Sequence, residues 1–226
     1  MTALARDGAL TADNFGPYVH ALDSFVAAAG ARDLRQTEGA DDPVIERAKA
    51  ALDLLRDVHP LVERLVADSP LPRAQAWEAY WLPVLAVCAQ QSTTPCREVR
   101  QTALASLQRT LVSPEVLVGG DVDLVVVFER LIFPTIDELL KPQVFRRDPT
   151  GMGETRLRAS ALLCKIFLHH LTGVRWRCDV TELTLGQLER QGMAGMTALW
   201  VRIIGCLDRM MHSGRRDQMV RRDAGD

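Results

Sequence analysis

Apolar residues return every three or four positions along most of this chain, and runs of Gly, Pro and Asp break the pattern into blocks. After "EGADDP", Ala48, Leu52, Leu55, Val62 and Leu65 make one stripe, which predicts a helix from Val44 to about Val66. Pro43 suits its start, and Pro60 should kink or divide it, because proline lacks the amide donor and its ring crowds the preceding turn. Three later blocks share a ruler. In "WEAYWLPVLAVC" the apolar face is Trp77, Tyr80, Trp81, Val84, Leu85 and Cys88, at offsets 0, 3, 4, 7, 8 and 11. Phe128, Leu131, Ile132, Thr135, Ile136 and Leu139 repeat those offsets. Trp200, Ile203, Ile204, Leu207, Asp208 and Met211 repeat them again, with one polar interruption. An aromatic stands at offset 0 each time, and proline at offset 6 in the first two (Pro83 and Pro134).

The first two of these helices are each followed by a related second one. "VRQTAL" (99–104) answers "LRASAL" (157–162), which sets Arg100 against Arg158 and Leu104 against Leu162. A helix with a central proline, a joint, and a second helix with Arg-x-x-Ala-Leu is a two-helix repeat unit. Such units bury their apolar sides against their neighbours. The expected fold is therefore all-α, an irregular HEAT/armadillo-like α-solenoid of about three to four helix pairs. Its core should include Trp77, Trp81, Leu85, Leu104, Phe128, Ile132, Leu162, Trp200 and Ile204. Uneven spacing makes "KPQVFRRDPTGMG" (141–153) and the stretch 172–195 insertions, the second with a short helix near Thr184–Arg190. The division expected is an N-terminal helix (Pro17 to Ala29, closed by Gly30) and flexible linker in 1–43, the array in 44–214, and a basic tail in 215–226.

Composition narrows the function. The chain is 47% hydrophobic and 25% charged, which is globular, and only 5% aromatic, which favours helix packing over a β-sandwich. A net charge of −2 gives no basic footprint for nucleic acid. No apolar run reaches the ~18 residues of a membrane-spanning helix, and Arg6 and Asp7 interrupt the start where a signal peptide would be apolar. The expected location is cytoplasmic. Five cysteines without C-x-x-C spacing read as reduced, mostly buried thiols, so neither a metal nor a cofactor is expected.

Cys164, His169 and His170 are the group closest to a chemical site. Adjacent histidines on a helix diverge by about 100°, and Cys164 and His169, five apart, also diverge. Ligand pairs on a helix want three or four. The packing reading therefore wins: Cys164 toward the core, and both histidines at the end of a helix that favours positive charge. Arg100 and Arg158 are the candidate interaction surface for an acidic partner. The competing reading is a ladder of salt bridges, each contributing ~0.2–1 kcal/mol. The aromatic positions lack interleaved basic residues, which argues against a stacking platform for nucleic acid. Arg146-Arg147, Arg215-Arg216 and Arg221-Arg222 are short basic pairs that would suit contact with an anionic membrane or simply face solvent.

Three segments carry a family resemblance: "CREVRQTALASLQRTLVSPE" (96–115), "FPTIDELLKP" with "GMGETRLRASALLCKIFLHHL" (133–171), and "LWVRIIGCLDRMMHSG" (199–214). They resemble the C-terminal region of the GBF/Gea/GNOM class of large Arf guanine-nucleotide exchange factors, over roughly residues 44–214. The resemblance implies the α-helical, HEAT-like regions downstream of the exchange domain, a regulatory or targeting role, and cytoplasmic protein on Golgi and early secretory membranes. The implied partners are small GTPases or other parts of an exchange factor. In that family exchange resides in an upstream domain whose Phe-Arg-x-Pro-Gly-Glu loop carries a glutamate finger. Here Phe133-Pro134 is followed by Thr-Ile, and no Pro-Gly-Glu occurs. The chain is thus expected not to be an enzyme, and to be a C-terminal fragment, a truncated product or a split subunit. Without the resemblance, the same pattern would read as a generic HEAT-type interaction adaptor.

Overall fold

The computed structural model describes residues 10–30, 42–113, 116, 124–178 and 199–213, with the side chains of 124 and 170–178 excepted. Every regular element among the described residues is helical. The chain divides into two compact units, residues 1–123 and 124–226. The division therefore falls between two of the ruler-bearing helices, and the N-terminal helix belongs to the first unit. The linker, the Thr184–Arg190 helix and the tail at 215–226 lie outside the described residues.

In the first unit α1 (Ala12–Gly30) buries Phe15, Tyr18, Val19, Leu22, Val26 and Ala29, a stripe at three and four, and packs most extensively on α2. α2 (Pro43–Asp57) begins with Pro43 at its first position and with the Asp42 side chain accepting from the Val44 amide. Both devices are built for a helix start, where early amides have no intrahelical partner. The expected single block is divided: α2 ends at Asp57, Val58 forms the joint, and α3 (His59–Asp68) restarts with Pro60 in its first turn. α4 (Arg73–Gln91) runs through Pro83, and a short joint leads to α5 (Arg97–Val112), against which it packs. Gly30 sits so close to that joint that a Cβ there would meet the Thr94 hydroxyl at 2.3 Å. A larger residue there would force the Thr94 side chain to shift, so the close approach favours glycine.

Long-range contacts fix the first unit. The Trp77 indole donates to the Val116 carbonyl at 3.0 Å, and Gln91 donates to Asp23 across α4 and α1 at 2.9 Å. His59 stands edge-on to Trp81, with ring centroids 5.1 Å apart, and its Nε2 lies 3.3 Å from the Thr110 hydroxyl.

The second unit opens with a rod: α6 (Leu124–Val127), a π-helical stretch (Phe128–Ile132) and α7 (Phe133–Leu139). The wide turn directly precedes Pro134. An α-helical register would press the proline ring on the Arg130 carbonyl; instead the Phe133 amide reaches back five residues to Phe128. The supposed insertion 141–153 is packed structure. It holds α8 (Pro142–Phe145) and the first turn of α9 (Pro149–Cys178), and Val144 and Met152 are buried with Leu139 and Ala159. The other supposed insertion begins later than 172, because α9 continues to Cys178. The last described helix, α10, spans 199–213.

α10 is tied to both neighbours. Arg202 pairs with Glu129 and Arg209 with Asp137 (2.8 Å), so α10 runs parallel to the rod. Trp200 stacks on Phe167 at 4.7 Å, Ser160 meets Met210 at 3.2 Å and Arg156 meets Ser213 at 3.3 Å, so it runs antiparallel to α9. That is the geometry of a first helix set against the pair before it. The described residues thus form an all-α helical-repeat protein: pairs α1/α2, α4/α5 and rod/α9, with α10 packed against the last of them.

Candidate interaction surface

Of the nine expected core residues, Trp77, Trp81, Leu85, Leu104, Phe128, Ile132 and Leu162 are buried. Trp200 and Ile204 are not: they are 46% and 50% exposed, and Leu199, Ile203, Cys206 and Met210 fill the core in their place. The ruler fixes the period of that helix but not its rotation. In this rotation Arg202 and Arg209 meet the rod at the edge of that core, and Arg202 also covers the Phe133 ring at 4.2 Å.

The two candidate surface arginines separate. Arg158 is exposed and bound to Glu154 one turn earlier at 2.7 Å, an intrahelical ion pair. Arg100 is 0% exposed, which removes it from any surface. Its Nη1 donates to the carbonyls of Thr94 (2.8 Å) and Pro95 (3.0 Å) in the α4–α5 joint. The counterpart of Arg100 is Arg156, two residues before Arg158. Arg156 is buried, its Nε donates to the Leu139 carbonyl at the end of α7 (2.9 Å), and its guanidinium covers the Phe145 ring at 4.9 Å. In the two pairs that carry the ruler, the second helices α5 and α9 therefore each hold one buried arginine that reaches back to carbonyls at the end of the first helix or just beyond it. Those carbonyls have no amide to meet and carry partial negative charge. The signal was present as Arg-x-x-Ala-x-x-x-Leu, which fits Arg100, Ala103 and Leu107 and equally Arg156, Ala159 and Leu163, all of them buried.

The cysteine–histidine group does not assemble. Cys164 is half-buried rather than in the core, and His169 is exposed. The helix does not end there but continues to Cys178, so no helix terminus favours His169; the His170 side chain lies outside the described residues. Among the described residues no group of three or more His, Cys, Asp or Glu is placed to hold a metal ion. Likewise no described helix is long and apolar enough to cross a membrane.

Burial pushes the Cys88 thiol up to about 12. A thiol in an unfolded chain ionises near ~8.5. Below that pH both states hold the proton, and stability is unaffected. Above it only the unfolded chain releases the proton, so stability falls with rising pH until about 12. Thiol labelling at pH 8 followed by peptide mass mapping should therefore modify half-buried Cys164 in the native protein, and Cys88 only on unfolding. Equal rates at the two would contradict this placement.

The comparisons with known proteins agree with this architecture. Residues 81–223 match the family described as GBF1-like, tetratrico peptide repeat region. The chain belongs to that family. The family's name specifies tetratricopeptide repeats, another helix-pair repeat, where the sequence pattern read as HEAT-like. The chain is also similar to the Golgi-specific brefeldin A-resistance guanine nucleotide exchange factor 1 homolog of Caenorhabditis elegans, 32% identical over 98 residues. That match covers 43% of this chain and 5% of the relative, so the chain corresponds to a small part of a much longer protein. No solved structure matches significantly.

Proposed function

We propose that the chain is a non-catalytic C-terminal scaffold of the kind found in Golgi Arf guanine-nucleotide exchange factors, serving their regulation and targeting in vesicle-mediated transport. The observation that carries the reading is how its buried polar groups are used. Arg100, Arg156 and the Trp77 indole all bond to backbone carbonyls and so hold helix to helix. The similarity to a named exchange factor supplies the context. The partners are proteins of Golgi membranes, small GTPases or other parts of an exchange factor, and the chain sits there peripherally. Exposed Arg146 and Arg147 beside α8 are available for an anionic membrane surface.

The test is nucleotide release from Arf, followed by fluorescence with purified chain. The expected result is no acceleration over the intrinsic rate, because the sequence carries no Pro-Gly-Glu loop to displace magnesium and phosphate. Clear catalysis by this chain alone would overturn the proposal.

A further inference from the structure

We draw no further inference here: the strongest candidate, the exposed apolar face of Leu157 and Leu168 on α9 and Trp200, Ile204 and Met211 on α10, carries none, because nothing in the structure shows what covers it.

Discussion

Phe128→Ala should lower the stability of the second unit by ~3–5 kcal/mol, the usual loss when a buried ring is truncated and its cavity only partly closes. Phe128 has no exposed surface. Its ring lies 5.6 Å from Phe133 in the next turn and 6.5 Å from Phe167 on α9, so one side chain joins the rod to its second helix. It also opens the π-helical stretch before Pro134, where the helix has less hydrogen-bond regularity to spare. A domain of this size holds only ~5–15 kcal/mol in total, so the variant should be largely unfolded in this unit near body temperature. Urea melts followed by circular dichroism would show the loss. His169→Ala, at an exposed side chain, should change the midpoint by less than ~0.5 kcal/mol. If the histidine variant proved the weaker of the two, the packing account of "LCKIFLHHL" would fail.

Periodicity made the fold legible, because helix pairs write their buried faces into the sequence at three and four. Two joints were legible as well: Pro43 and Pro60 stand where a helix starts or divides. Rotation was not. A stripe wide enough to include both Ile203 and Ile204 leaves the buried side ambiguous by about 100°. The choice follows from packing against residues far away in the chain: Arg202 and Arg209 pair with residues some seventy positions earlier, which no local pattern encodes. The length of α9 was hidden for a related reason. The stretch from 172 reads as an insertion after a helix that ends at the histidines, yet the helix runs on to Cys178.

The arginines mark a different limit. A charged residue inside an amphipathic block reads as solvated by default, since burying it alone would cost several kcal/mol. That default holds for Arg158 and fails for Arg100 and Arg156, because each finds carbonyls that the turn between helices leaves without amides. The joint and the arginine must be considered together before either makes sense.

Arg100→Ala should therefore be among the most damaging single changes in the first unit, at ~3–5 kcal/mol from the lost hydrogen bonds and the cavity together. Two losses combine in it. The Thr94 and Pro95 carbonyls lose a charged donor at 2.8 and 3.0 Å, and a buried acceptor left without a partner costs ~1–3 kcal/mol. The fully buried side chain also leaves a cavity beneath α5, next to Val99, Ala103 and Leu104. Arg100→Met separates these terms, since it keeps most of the volume and removes the donor; it should cost ~2–3 kcal/mol. Arg158→Ala, breaking only an exposed pair, should cost less than ~0.5 kcal/mol. Urea midpoints for the three variants, at constant slope, would establish the order. An Arg100→Ala protein that melts with the wild type would mean that this guanidinium does not hold the joint, and would return Arg100 to the surface where the sequence pattern first placed it.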